Sequence, residues 1–276
     1  MDEGWFAGLD PDETAAAAER VRSGTAAGPA DWPSRAVEAG FAADTGEYYD
    51  LLGEATRAAT RAAVAEREGS DDRQLVHALR AMDDCRAAAN ELAERVAEWA
   101  GSRDEDPGTG LAYARELADR EPRDRVDRAV VELASQAVGL DAEADRLRAL
   151  VEQIAPEVAP NLAALAGPVL AARLISLAGD LESLARQPSG TVQVLGAEDA
   201  LFAHLQGDAP SPKHGVIYTH EYVRHTHPDE RGSAARALAG KLSIAARVDH
   251  YSGTRRPELD TELAARIERI RARGPQ

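Results

Sequence analysis

Apolar residues recur at alternating steps of three and four along two stretches in the first half of the chain. The first stretch runs from Leu75 to Trp99, and the second runs from Val126 to Ile154. These steps place side chains on one face of an α-helix, and about four heptads of them are typical of a coiled coil. Because a polar loop (101–110) and a short helix (111–119) join the stretches, the pattern predicts an antiparallel helical hairpin. The alternative is an ordinary helical bundle inside one globule.

The segments before the hairpin are less strongly patterned. A helix is predicted from Asp10-Pro11 to Val21, residues 28–33 are predicted to be a loop, and a longer helix is predicted over 48–67. Trp5 and Phe6 are interpreted as hydrophobic anchors, either for a small core or for a partner.

After the hairpin, Pro156 and Pro160 are predicted to end the arm, and a compact helical head is predicted to follow over 157–253. Within the head, the run TVQVL (191–195) has β-like composition, and SPKHGVIY (211–218) predicts a turn that leads into an extended piece. The last helix, 257–272, is charged and is expected to be partly ordered. The predicted fold class is mainly α.

Charge is distributed unevenly along the 276 residues. The net charge is −16, yet residues 161–276 carry 14 basic and 13 acidic side chains. The first 160 residues carry 18 basic and 35 acidic side chains, which predicts a solvated acidic arm joined to an anion-tolerant head. With two lysines among 32 basic residues, the composition indicates a salt-loving archaeon, and a GC-rich genome is the alternative.

The remaining composition argues against several classes of protein. Cys85 is the only cysteine, so we expect no disulfide framework or thiolate metal cluster, and we expect Cys85 to be buried. The N-terminus MDEGWF is acidic and lacks the pattern of a signal peptide, while the longest apolar run (161–178) contains Arg173 and Pro168. We therefore predict a cytoplasmic protein with no membrane span.

One face of the helix predicted over 230–250 carries Arg236, Gly240, Ser243 and Arg247. The two arginines are separated by three helical turns, about 16 Å. The small residues between them leave room for a nucleic-acid backbone, which suits two phosphates or a phosphate and a base edge. A solvated charged face is the ordinary alternative.

Two other motifs of the predicted head are also candidates for contact with an anion. Lys213 and His214 lie on the predicted turn, where such a pair can meet phosphate and base, although a surface lysine is usually just solvated. In LGAED (195–199), Glu198 and Asp199 occupy the first turn of a predicted helix, and capping of that helix is their expected role.

The histidines at 220, 225 and 227 allow a metal hypothesis, but no carboxylate or cysteine completes a familiar ligand pattern. The chain has no phosphate-binding loop, nucleophile elbow or zinc-protease motif. We therefore predict no enzyme activity, no metal and no cofactor.

Four segments together resemble the Nop domain, the RNA-binding head of the Nop-family core protein of archaeal box C/D ribonucleoproteins, which a spliceosomal relative shares. They are APNLAALAGPVLAARLISLAG (159–179), LARQPSGTVQVLGAEDALFAHL (184–205), SPKHGVIY (211–218) and RGSAARALAGKLSIAARVDHYSG (231–253). The resemblance implies a scaffold that contacts kink-turn guide RNA together with its small kink-turn-binding protein. It also implies a homodimer through the coiled coil, and recruitment of fibrillarin, the methyltransferase for 2′-O-methylation of rRNA or tRNA.

Carried onto this sequence, the resemblance implies RNA contacts at His214, Arg236 and Arg247, with Lys213 and Lys241 as weaker candidates and Gly240 and Ser243 between the arginines. The implied domains are a shortened fibrillarin-binding-like region (1–47), a coiled-coil dimerisation domain (48–155), a Nop domain (156–253) and a charged C-terminal helix (254–276).

Two positions depart from the family pattern. Asp199 stands where the family usually has lysine, which argues against a phosphate contact there, and WFAGL (5–9) resembles a remnant of a longer α/β N-terminal module. The main alternative function is an acidic coiled-coil protein-interaction adaptor that no longer binds RNA, and the third is a metal-dependent enzyme that uses the 220–227 histidines.

Overall fold

The computed structural model describes residues 4–26, 28–207 and 209–273. The chain divides into two compact units, Met1–Ser70 and Asp71–Gln276. Regular structure in the described residues is helical throughout, which confirms the predicted mainly α fold class. The four domains named from the sequence are assignments of role, and they stay predictions.

The first unit contains three helices: α1 (Thr14–Ser23), α2 (Trp32–Glu38) and α3 (Thr45–Glu68). Its core is aromatic, with Phe6, Phe41 and Tyr48 buried together and Trp5 donating its indole N–H to the Tyr48 hydroxyl at 3.1 Å. Trp5 and Phe6 therefore anchor a small core within this unit.

Residues 28–33 are not entirely a loop, because α2 begins at Trp32. The Asp31 side chain accepts the Ser34 N–H and caps the helix, while Pro33 lies in its first turn, where proline costs no hydrogen bond. The sequence-based prediction of a loop was wrong here because it weighed the proline and glycine content above this capping pattern.

The second unit begins with the predicted hairpin. Its long helices are α4 (Asp71–Gly101) and α6 (Arg125–Val158), and the short helix α5 (Gly110–Ala118) lies between them in the chain. Residues near the end of α4 share a buried cluster with residues near the start of α6, so the two helices run antiparallel, as predicted. The cluster members are Val96, Ala100, Tyr113, Leu117, Val130 and Ala134.

The opposite end of the hairpin packs into the largest core of the second unit. Leu75, Leu79 and Val151 belong to the same buried cluster as the helices that follow the hairpin. In contrast, the clusters nearer the α5 end contain residues of α4, α5 and α6. Cys85 is only half-buried, because the buried seam of α4 passes beside it.

A buried carboxylate and two surface arginines join the helices of the hairpin. Arg86 of α4 pairs with Asp141 and Asp145 of α6, and Arg115 of α5 pairs with Asp141. Asp141 is 3% exposed, so two guanidinium groups compensate for burying its charge.

Eight α-helices and one 3₁₀ turn form the rest of the second unit. They are α7 (Pro160–Ala166), α8 (Pro168–Ala178), α9 (Leu181–Arg186), α10 (Ser189–Val194), α11 (Glu198–Gln206), a 3₁₀ turn (Val216–Thr219), α12 (Glu221–Arg224), α13 (Arg231–Tyr251) and α14 (Glu258–Arg271). No single described helix is long and apolar enough to cross a membrane, and one pair, α7 with α8, passes that test only when joined across a 116° bend.

Several predictions of local structure are wrong in this region. The β-like run 191–195 lies mostly in α10, because Val192 is buried in the core beneath α13. The segment after His214 forms a 3₁₀ turn and not an extended piece. Pro156 lies inside α6, and Pro160 opens α7.

The final helix is also better packed than predicted. One face of α14 carries four side chains that are at most 6% exposed and that join the largest core: Leu259, Leu263, Ile267 and Ile270. Its charged residues occupy the other face, so a high charge content did not imply a partly ordered helix.

Candidate nucleic-acid interface

An exposed stripe runs along α13. Arg236, Ile244, Arg247 and Tyr251 are exposed, and Gly240 is partly exposed between them. At about 100° per residue these five positions fall within about 80° of the helix circumference, and the stripe is about 22 Å long. We call these five residues the α13 stripe.

Ser243 does not lie in the α13 stripe, although the sequence-based prediction placed it between the two arginines. It is 2% exposed, and its hydroxyl donates to the Gln187 carbonyl at 3.3 Å. The position belongs to the inward face because α13 packs against the α9–α10 segment on that side. Ile244 and Tyr251 take its place on the exposed face, and periodicity measured from the arginines alone did not select them.

The two arginines of the stripe differ in how they are held. Arg247 donates from Nε to the Ala185 carbonyl at 3.1 Å and from Nη2 to the Gln187 carbonyl at 3.2 Å. Arg236 forms no hydrogen bond or ion pair with any residue that the structure describes. Neither guanidinium is neutralised by a described carboxylate, so both remain available to an anion.

Lys241 is placed differently. Its ammonium group forms an ion pair with Glu262 of α14, and 22% of its side chain is exposed. The lysine therefore joins α13 to α14, and an anionic ligand would have to compete with a carboxylate that is already in place.

The turn that carries Lys213 and His214 is fastened to the end of α10. Gly215 N–H donates to the Gln193 carbonyl at 2.8 Å, and the Gln193 side-chain amide donates to the Lys213 carbonyl at 2.7 Å. A Cβ atom at Gly215 would overlap the carbonyl oxygen of Leu195, so this close approach requires glycine.

This turn lies beside the start of α13. The Cβ and Cδ atoms of Lys213 are each 4.0 Å from the position that a Cβ atom would occupy at Gly232. Gly232 precedes Arg236 by one helical turn, so the fold brings the turn and the α13 stripe, which are separate in sequence, to one side of the second unit. The Lys213 side chain itself is exposed.

His214 is half-buried in an aromatic stack. Its ring centroid is 4.6 Å from that of Tyr218, with an interplanar angle of 23°, and the Arg231 guanidinium carbon lies 5.6 Å from the Tyr218 ring centroid. Burial lowers the pKa of His214, and the positive charges of Arg231 and Lys213 lower it further. Tyr218 and Arg231 were not predicted as site residues, because no spacing pattern in the sequence marks them.

Residues 110–272, which include all of these side chains, match the family model Nop, described as "snoRNA binding domain, fibrillarin". The chain belongs to the Nop family. The matched region begins at α5 and extends through α14, and it therefore includes half of the hairpin as well as the head.

Curated Nop relatives are longer than this chain. An uncharacterized NOP5 family protein of Methanocaldococcus jannaschii is 46% identical over 147 residues, which are 53% of this chain and 36% of that protein. Nucleolar protein 58 of Schizosaccharomyces pombe is 31% identical over 236 residues, which cover 71% of this chain and 46% of that protein. The chain thus spans less than half the length of both.

A solved structure shares the fold. The chain is similar to one in a crystal structure of a fibrillarin/Nop5p complex, with a TM-score of 0.55, 23% sequence identity, and coverage of 98% of this chain and 99% of the other. At this level of identity the likeness supports the helical Nop architecture.

Asp199, the departure from the Nop pattern, is exposed in the first turn of α11. The neighbouring Glu198 accepts the Gly196 N–H at 2.7 Å, but that group precedes the helix, and α11 has no side-chain hydrogen-bond cap. The two carboxylates lie in the first turn as predicted, but they do not cap the helix by a hydrogen bond. None of the α11 side chains is buried, and Phe202 and Leu205 are 63% and 74% exposed.

The histidines at 220, 225 and 227 do not form a metal site within the described ranges. His220 Nδ1 accepts the Tyr222 N–H at 3.1 Å and caps α12, while Nε2 lies 3.0 Å from the Leu165 carbonyl. Burial lowers the pKa of His220, which is consistent with a neutral ring that joins α12 to α7. The metal hypothesis therefore has no geometric support.

Proposed function

We propose that this chain is a non-catalytic scaffold of a box C/D ribonucleoprotein that guides 2′-O-methylation of RNA. The α13 stripe and the Lys213–His214 turn are the proposed surface for kink-turn RNA and its small kink-turn-binding protein. The observation that carries the proposal is the pair of exposed guanidiniums at Arg236 and Arg247, which lack carboxylate partners within the described residues.

Charge supports a local contact with RNA over general attraction. The whole chain carries −16, so at long range it repels a polyanion. In molar salt the Debye length is about 3 Å, so attraction between the exposed arginines and distant phosphates is also screened. Binding would then depend on close, shaped contacts, such as the anchored guanidinium of Arg247.

The test is assembly on kink-turn RNA carrying its small protein, measured for the double variant Arg236→Ala/Arg247→Ala. We expect strongly weakened binding, because two phosphate or base contacts are removed. The matched control is Arg125→Ala/Arg128→Ala, which removes the same charge from two exposed arginines of α6. Wild-type assembly by the first variant, or equal losses in both, would contradict the proposed surface.

We further propose that two copies pair through the hairpin. Apolar side chains outside its buried seam remain partly exposed, among them Leu92, Trp99 and Leu140. Sedimentation of the purified protein tests this proposal: Leu140→Glu should shift a dimer to a monomer. Ala142→Glu, on an exposed position of the same helix, should leave the dimer intact. A wild-type protein that sediments as a monomer would exclude pairing through the hairpin.

Fibrillarin is the proposed enzyme partner, and the first compact unit is the proposed docking region. Co-purification of fibrillarin with the full chain and with a variant lacking residues 1–70 tests this. A deletion of residues 1–47 alone would remove Phe6 and Phe41 from the aromatic core and leave Tyr48 uncovered. Equal recovery of fibrillarin by the full chain and the 71–276 variant would place docking elsewhere.

The second candidate function, an acidic adaptor that binds protein and not RNA, is favoured by α11. This helix combines Asp199 with the exposed apolar side chains Phe202 and Leu205 and carries no lysine or arginine. Recovery of RNA with the protein purified from cell extract discriminates between the two functions.

A further inference from the structure

The orientation of the His214 ring depends on groups that the RNA-binding proposal does not include. We propose that Tyr218 and Arg231 are positioning residues that hold the His214 imidazole in one orientation for contact with RNA. This inference rests on the proposed function, because it assumes that His214 meets the RNA.

The backbone on one side of His214 is fixed by its neighbours. Gly215 N–H is bonded to the Gln193 carbonyl, and the next N–H, of Val216, donates to the Leu195 carbonyl at 2.7 Å. These two bonds place the Cα atom of His214, and neither of them involves the imidazole ring itself. A contact to the ring itself bears directly on its orientation.

Tyr218 supplies that contact. Its N–H donates to the Gly215 carbonyl at 3.0 Å within the 3₁₀ turn, which brings its ring back over His214. The rings lie 4.6 Å apart and only 23° from parallel, an arrangement that restricts both side chains. One face of the imidazole is therefore covered by the phenol ring.

Arg231 holds Tyr218 from the base of α13. Its Nε donates to the Thr226 carbonyl at 3.1 Å, and Nη2 donates to the Arg224 carbonyl at 3.4 Å. The guanidinium carbon lies 5.6 Å from the Tyr218 ring centroid, within the range of a cation–π interaction. A series of contacts thus leads from the start of α13 through Tyr218 to the His214 imidazole.

The same arrangement lowers the pKa of the His214 ring. Burial is the main cause of the lowered His214 pKa, and the nearby charges of Arg231 and Lys213 act in the same direction. Removing the Tyr218 ring would expose the imidazole to water and raise its pKa, and removing the Arg231 charge would also raise it.

The experiment measures two quantities on the full chain: the His214 pKa by NMR titration of labelled histidines, and affinity for kink-turn RNA bound to its small protein. The spectrum of His214→Ala assigns the resonance. The variants are Tyr218→Leu, which removes the stack, Tyr218→Phe, which keeps the ring, and Arg231→Gln. Arg224→Gln is the control, because it removes a nearby exposed charge that contacts neither ring.

We expect Tyr218→Leu and Arg231→Gln to raise the His214 pKa and to weaken RNA binding by about twofold to tenfold, the range of one aromatic pair. Tyr218→Phe and Arg224→Gln should resemble wild type in affinity. If Tyr218→Leu fails to fold by circular dichroism, Arg231→Gln decides the outcome.

The inference fails if the folded variants keep the wild-type His214 pKa and affinity while His214→Ala weakens binding. In that case the proposed function stands without it. If His214→Ala and the double variant at Arg236 and Arg247 both bind as wild type, the proposed RNA surface itself is wrong, and this inference with it.

Discussion

Replacing Asp249 should destabilise the second unit more than any exposed carboxylate does. Asp249 lies near the end of α13 and is 6% exposed. Its Oδ1 accepts the backbone and side-chain N–H groups of Asn161, at 3.0 and 2.6 Å, and its Oδ2 accepts the Leu162 N–H at 2.8 Å. This one side chain therefore caps α7 and fastens it to the helix that carries the stripe.

The magnitude follows from these three bonds. A hydrogen bond to a charged group contributes about 1.5–3 kcal/mol, and a buried donor left without a partner costs about 1–3 kcal/mol. Because the three bonds share one carboxylate, their losses do not add, and we expect Asp249→Ala to lower the free energy of unfolding by about 3–5 kcal/mol. In Asp249→Asn, one oxygen becomes an N–H₂ group that faces an N–H donor, so we expect a loss of about 2–4 kcal/mol.

Urea unfolding followed by circular dichroism measures both losses, and hydrogen exchange at Asn161 and Leu162 reports the cap directly. The control is Asp84→Ala, an exposed carboxylate of α4, for which we expect a change within about 0.5 kcal/mol. If Asp249→Asn is as stable as wild type within that margin, the cap does not hold α7 as argued.

Three further predictions concern other contacts. Arg247→Ala should lower the free energy of unfolding by about 1–2 kcal/mol, because it removes two hydrogen bonds to backbone carbonyls. Arg236→Ala should change the free energy of unfolding by less than about 0.5 kcal/mol. Equal losses for the two variants in urea unfolding would contradict this difference. Gly215→Ala should cost about 2 kcal/mol or more, because the added methyl group overlaps a backbone carbonyl, and an unchanged melting temperature would refute that. The hydrogen bond from the Tyr113 hydroxyl is the largest of the causes that lower the pKa of Asp104 from 3.8 to about 2. Tyr113→Phe should therefore raise the Asp104 pKa, which an NMR titration measures. Because the pKa of Asp104 is depressed in the folded state, its ionised carboxylate stabilises the fold fully above pH 3.8, and this stabilisation is lost as the pH falls toward 2. Tyr113→Phe should therefore lose less stability over that pH range than the wild type does. An unchanged Asp104 pKa in the variant would show that the Tyr113 hydroxyl is not the main cause.

The helical architecture could be predicted from the sequence because its cause is local. Steps of three and four between Leu75 and Trp99, and again between Val126 and Ile154, define helix faces whatever the helices pack against. The same local rule put Arg236 and Arg247 on one face of α13, and both are exposed there. The Nop-like segments identified the family for the same reason, since motif residues can be recognised without knowledge of their contacts.

Other features depend on residues that are distant in sequence. Whether Ser243 or Ile244 faces solvent is decided by where the α9–α10 segment packs, and α10 is helical despite its β-branched residues because Val192 enters the core beneath α13. Periodicity gives the faces of each helix, but it does not say which face another element will cover.

The candidate site shows the same division. Its polar side chains, Lys213, His214, Arg236 and Arg247, were predicted from residue type and motif. The tertiary structure alone placed Tyr218 against His214, because that stack requires a turn fixed to α10. It also decided that α14 completes the core, since burying its four apolar side chains requires a surface that earlier helices build. Local spacing determines what each element can present, and burial of distant apolar surface determines what it does present.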